Sequence, residues 1–179
     1  LAANAPLLDV GAGFVHADLG YSFPGKAGLR LSLEYDYVSG DGRGAKYRRF
    51  DTLFGMRRAD FGPAGIYSTI GRANISTPGI RAEIAPSKRW DAFASYRAMW
   101  LASRSDAFST TGVRDPAGAS GSFAGHQVEG RVRYWLVPRL LRAEVNALWL
   151  AKGRFLQIAP NAPPTGDTRY LSTALTVSF

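Results

Sequence analysis

An all-β fold, an antiparallel transmembrane β-barrel, is predicted by three features of the chain. Apolar and polar residues alternate with period two in segment after segment, as in strands with one apolar and one polar face. The connections between these segments are by turns short and long. Aromatic residues fall into two bands once the segments are laid side by side.

The segments follow in order. FVHADLGYSF (14–23) sets Val15, Ala17, Leu19, Tyr21 and Phe23 on one face. LRLSLEYDYV (29–38) alternates strictly: Leu29, Leu31, Leu33, Tyr35 and Tyr37 oppose Arg30, Ser32, Glu34, Asp36 and Val38. IRAEI (80–84) sets Ile80, Ala82 and Ile84 against Arg81 and Glu83. RWDAFASYRAMW (89–100) sets Trp90, Ala92, Ala94, Tyr96, Ala98 and Trp100 against Asp91, Ser95 and Arg97. In GHQVEGRVRYWL (125–136), Val128, Val132, Tyr134 and Leu136 oppose Gln127, Glu129, Arg131 and Arg133. In LLRAEVNALWL (140–150), Leu141, Ala143, Val145, Ala147 and Trp149 oppose Arg142, Glu144 and Asn146. YLSTALTVSF (170–179) ends the chain with Leu171, Leu175, Val177 and Phe179 on one side. About seven strands result. The segments at 90–100 and 141–148 also fit a helical stripe; their neighbouring connections decide for strand.

Those connections alternate in length. Pro24-Gly25-Lys26, Pro86-Ser87-Lys88 and Pro138-Arg139 mark short turns. Residues 39–72, 102–121 and 151–168 are long and rich in Gly, Ser, Pro and charge. Short periplasmic turns and long extracellular loops are the pattern of a bacterial outer-membrane barrel. With the last strand ending in the periplasm, Tyr21, Phe23, Trp90, Tyr134 and Phe179 fall near the periplasmic ends. Tyr35, Tyr37, Trp100 and Trp149 then fall near the outer ends, giving the two girdles that lipid interfaces favour. Trp90 and Trp100 lie about 33 Å apart along a strand, which a tilt of about 40° reduces to roughly 25 Å, the height of the apolar band.

Chemistry decides which face meets lipid, because an Arg or Lys on that face at mid-membrane costs about 2–4 kcal/mol. Arg30, Glu34, Asp36, Arg81, Glu83, Arg97, Gln127, Glu129, Arg131, Arg133, Arg142, Glu144 and Asn146 are therefore expected to line the lumen, as the path of a solute. Seven strands are an odd number, and bacterial barrels of this type have an even one. The chain accordingly reads as the C-terminal part of a longer barrel, one domain over 1–179, with the last strand left a free edge. A hairpin within 53–75 leaves the parity unchanged. The alternative is an eight-stranded barrel with a further strand near residues 1–8, though LAANAPLL does not alternate.

Composition narrows the function. The chain of 179 residues carries 22 Lys plus Arg against 14 Asp plus Glu, a net charge of +8, and no cysteine. Disulfide frameworks and cysteine metal sites are thereby excluded. The two histidines, His16 and His126, leave little for a metal site or a triad, and no metal or cofactor is expected. No apolar run reaches the length of a membrane helix. The basic excess also fits a soluble nucleic-acid binder; the two aromatic girdles argue against that reading.

Several stretches resemble the alginate-export family of outer-membrane proteins. The most specific is RRFDTLFGMRRADFGPAGIY (48–67) followed by IGRANI (70–75), similar to the family's Phe-Asp-x-Leu-Phe loop segment and its Asn-Ile before the next strand. MWLASRSDAF (99–108) resembles Trp-Leu-Ala-x-Arg-x-Asp-Ala. GHQVE (125–129), KGRFL (152–156) and TRYLSTALTVSF (168–179) are similar to other recurring pieces. Relatives often place a Pro and a His soon after Leu-Phe, where this chain has Gly55, Met56, Arg57 and Arg58. The resemblance implies a monomeric barrel of about eighteen strands, with an Arg-rich passage for an anionic polysaccharide. The C-terminal aromatic resembles the signal read by the barrel-assembly machinery.

The expected function is a porin-like outer-membrane channel passing an anionic solute, of the uronate polysaccharide or oligosaccharide class, through an Arg-lined lumen. The lumen arginines can hold carboxylates in passing, or they can pair across strands with the acids and merely stiffen the wall. The second case makes a non-transporting structural or binding barrel, its lumen closed by ion pairs and loops. Lys46, Arg48, Arg49, Arg57 and Arg58 form a basic outer-loop cluster, expected either to attract anionic polymer or to be held by lipopolysaccharide phosphates. SGDGRGAK (39–46) lacks P-loop spacing and reads as an outer loop. Phe50, Leu53 and Phe54 are expected to pack inward as an anchor or small plug. His126 with Ser103 or Ser122 lacks a nucleophile signature, and no enzyme activity is expected.

Overall fold

A computed structural model describes residues 9–51, 61 and 70–179. They form one seven-stranded sheet in which each strand pairs antiparallel with its neighbour in the chain. The strands are β1 (Phe14–Ser22), β2 (Arg30–Val38), β3 (Ile75–Ser87), β4 (Trp90–Trp100), β5 (Phe123–Val137), β6 (Leu141–Lys152) and β7 (Thr168–Val177). One short helix, α1 (Arg154–Ile158), follows β6. Among the described residues β1 and β7 do not pair with each other, so the sheet is open, a sector of a barrel wall. The strands expected at 90–100 and 141–150 are strands and not helices. The third is longer than its alternating centre, running from 75 to 87. Its Pro78 is tolerated in mid-strand because Thr77 and Pro78 have no partner in β4, whose register passes from Ser76 to Gly79.

Short turns gather at one end of the sheet and long connections at the other; these are called the turn end and the loop end. The last turn shows how the tight ones are made. The Leu140 N–H donates to the Val137 carbonyl at 3.1 Å, Pro138 supplies a fixed φ, and Arg139 takes φ 65°, the layout of a type II turn.

Register sorts the side chains, because directly paired residues share a face. Leu19, Leu33, Ile80, Tyr96, Val128 and Trp149 stand in one row across six strands. This face is open: Leu19 is 76% exposed and Leu171 and Leu175 are each 70% exposed. The opposite face carries the charged residues and is the more enclosed one. A water-soluble sheet buries its apolar face; here the pattern is inverted, as a lipid-facing wall requires.

The hydrophobic core lies at the loop end of the polar face. Val38, Ile75, Met99, Leu148 and Leu150 come from the loop-end portions of the strands, and Leu101, Phe108, Val113, Phe155, Leu156 and Ala159 come from the long connections folded over them. Phe50 and Tyr170 pack against its edge. The expectation of an inward Phe50 holds, with its ring 4.9 Å from that of Phe14. Leu53, Phe54, most of the hairpin proposed within 53–75 and the strand considered near 1–8 lie outside the described residues.

Candidate functional site

All thirteen residues expected along the solute path lie on the polar face, and the structure pairs most of their charges. Arg30 donates to Asp18 at 2.7 Å and stands 3.9 Å from Glu83. Arg81 donates through Nε and Nη2 to Glu83 at 3.0 and 2.8 Å. Arg97 reaches Glu34 at 3.0 Å, and Arg133 reaches Asp91 at 2.9 and 3.1 Å. Asp36, 1% exposed, accepts from His16 Nδ1 at 2.8 Å and has Arg72 at 3.5 Å. Glu129 accepts from Ser95 at 3.0 Å, and Glu144 from Asn146 at 2.9 Å. The pairs that run between strands, Arg30–Asp18, Arg97–Glu34, Arg133–Asp91, His16–Asp36 and Ser95–Glu129, stiffen the wall, while Arg81–Glu83 and Asn146–Glu144 are local to β3 and β6.

Five of the thirteen do not line open space, contrary to expectation. Asp36, Arg97, Gln127, Glu129 and Asn146 are buried. Phe61 explains two of them: its ring stands 4.9 Å from the Arg97 guanidinium carbon, and its carbonyl accepts from the Gln127 side-chain amide. An aromatic from the first long connection thus covers the loop half of the polar face. Nothing in the alternation signals this, because Phe61 belongs to no strand.

The turn half is more open. A pocket of about 410 Å³ is lined there by Arg30, Glu83, Asp91, Phe93, Arg131 and Arg133 among others. Phe93 and Trp135 are the aromatics of this region that the sequence reading passed over. Both share the parity of the charged residues: Phe93 stands between Glu83 and Arg131, and Trp135 opposite Arg142. Arg81 and Arg131 lie 3.7 and 4.8 Å from the Phe93 ring centre, and Arg142 lies 5.6 Å from that of Trp135.

At the loop end a buried polar clamp ties the long connections together. Asn74, fully buried at φ 45°, donates to the carbonyls of Ser103 and Ala107 at 3.0 Å each and accepts from the Ser103 N–H at 2.7 Å. Asp106 accepts from Arg49 at 2.7 Å and from the Asp41 N–H at 2.8 Å. Gly40 lies so close to Asn74 that a methyl group there would overlap its side chain. Arg49 also donates to the Ala107 and Ser109 carbonyls.

The outer-loop basic cluster is thereby corrected. Arg49 is drawn inward as a cross-link, since three carbonyl or carboxylate partners are available to it below the surface. Lys46 pairs with Asp9 at 3.0 Å, and Arg48 remains exposed. Arg57 and Arg58 lie outside the described residues. Of the aromatic bands, Tyr21, Phe23, Trp90, Tyr134 and Phe179 stand at the turn end, and Tyr35, Tyr37, Trp100 and Trp149 toward the loop end. His126 lies on the apolar face, its Nδ1 2.8 Å from the Tyr96 hydroxyl, away from both Ser103 and the polar face.

An antiparallel sheet in neighbour order, apolar on its open face and ion-paired on the other, defines the wall of a membrane β-barrel. The family model for alginate export matches residues 4–165, and the chain belongs to that family of outer-membrane proteins. No curated protein matches the sequence significantly. The segments that carry the family resemblance meet in space: Asn74-Ile75, Ser103–Ala107, Gly125–Gln127 and Gly153–Leu156 all contribute to the loop-end clamp or core.

Proposed function

We propose that this sheet is one wall of an outer-membrane export channel and that its polar face meets an anionic polysaccharide of the uronate class. The observation that supports this most is the inverted sheet: open apolar residues on one face, arginines and acids on the other. A wall of this kind offers hydroxyl- and carboxylate-bearing sugars many weak polar partners. Because most arginines already have an acid beside them, a polyanion exchanges partners along the wall without being trapped, as passage requires. No catalytic step and no cofactor enter this reading. The full-length protein in planar bilayers is expected to show ion conductance that added oligouronate blocks reversibly, and neutral oligosaccharides of equal length block less. Conductance insensitive to both oligomers rules the solute class out, and no conductance rules out the open channel.

The second reading is a barrel closed at its loop end. It is favoured by the apolar core that Phe108, Phe155 and their neighbours build over the polar face. It predicts conductance only after 102–121 and 154–165 are shortened.

A further inference from the structure

The polar-face arginines are of two kinds. Arg30, Arg81, Arg97 and Arg133 each have a carboxylate oxygen within 3.0 Å. Arg131 and Arg142 do not. The acid near Arg131 is Asp91 at 3.8 Å, which already accepts two hydrogen bonds from Arg133. The acid near Arg142 is Glu144 at 4.0 Å, which already accepts from Asn146. Each of the two has a buried Nε–H without a partner, a feature that Arg97 shares. What holds them in place is aromatic: Arg131 stands over Phe93 at 4.8 Å and Arg142 over Trp135 at 5.6 Å. A ring face steadies a guanidinium without supplying a negative charge or taking its N–H groups. The charge stays without a bonded carboxylate.

We infer that Arg131 and Arg142, propped by Phe93 and Trp135, are the anion-selecting residues of this wall, and that the carboxylate-bonded arginines are structural. The inference rests on the channel reading above and narrows it to a place, the turn half of the polar face. Arg131 borders the open pocket there. An incoming carboxylate gains a charge-assisted hydrogen bond from Arg131 without first displacing an acid; at Arg97 or Arg133 it must break one. Phe93 and Trp135 are positioning residues, acting through the guanidinium groups they carry.

The test compares four variants of the full-length protein, the fourth being F93Y/W135F, which keeps a ring at both props. R131Q/R142Q removes the selecting charges, R30Q/R133Q removes two carboxylate-bonded ones, and F93L/W135L removes the props with the charges kept. Binding of oligouronate to detergent-folded protein is measured beside the reversal potential in a salt gradient. R131Q/R142Q is expected to lose most anion preference and at least tenfold in affinity. F93L/W135L is expected to lose about two- to fivefold, the size of one exposed cation–π contact, and F93Y/W135F to restore it. R30Q/R133Q is expected to lower thermal stability more than R131Q/R142Q does and to cost the folded fraction clearly less selectivity. Equal losses of selectivity in both arginine variants, or none in R131Q/R142Q, overturn the inference. Absence of conductance in the parent protein defeats the channel reading instead, and the binding comparison then still decides which arginines select.

Discussion

Two acidic residues show how differently one residue type is used. Asp36 sits on the wall with His16 and Arg72, whereas Asp115 holds a loop. The Asp115 carboxylate accepts from the Ser120 hydroxyl and N–H at 2.7 Å each and from the Ala117 N–H at 3.0 Å. Those bonds, with the Ser120 hydroxyl first, hold its pKa below the usual carboxylate value. A depressed folded pKa stabilises the loop above the unfolded value of about 4 and loses that contribution as the pH falls through the folded one. The 102–121 loop is therefore expected to become protease-sensitive in strong acid, and Asp115→Asn to make it sensitive at neutral pH as well. Equal cleavage of both proteins at every pH tells against this role.

The strands were legible in the sequence because period two is imposed by the medium on both faces at once: lipid selects one parity and water or ion pairs the other. The Ile80–Ile84 alternation marked its strand, and the ends of that strand did not, since Ser76, Thr77, Pro78 and Gly79 carry no such contrast. The polar face was legible for the same reason, and its pairing was not. Whether Arg131 meets an acid or a ring depends on which of Asp91's neighbours takes its oxygens first. Phe93 and Trp135 read as breaks in the pattern because an aromatic on the charged parity has no signal of its own. The loop elements were legible only as recurring fragments, and their purpose emerges from Asn74. Replacing it by Ala leaves the Ser103 N–H unbonded below the surface and removes one of the two donors that each of the Ser103 and Ala107 carbonyls has, a cost of about 2–3 kcal/mol. Asn74→Ala is expected to lower the unfolding midpoint in detergent and to expose 102–121 to protease while strand content by circular dichroism stays intact. An unchanged midpoint refutes the clamp.

At the scale of the whole molecule the sheet sorts its tryptophans. Trp90, Trp100 and Trp149 stand on the apolar parity and Trp135 on the polar one. Single-tryptophan variants of the full-length protein in vesicles are expected to separate accordingly. Lipids brominated near the headgroup should quench Trp90 and Trp100 strongly, and Trp135 should respond to an aqueous quencher instead. Strong lipid quenching of Trp135 contradicts the assignment of faces.

Strict neighbour order has a further consequence. Each strand's register is set by the turn or loop that joins it to the next, and no strand depends on a distant one for its facing. A hairpin is therefore a removable unit. Inserting or deleting two consecutive strands with their turn changes the circumference while every remaining residue keeps its side, so a family built on this wall can change its bore in steps of one hairpin without redesigning the rest.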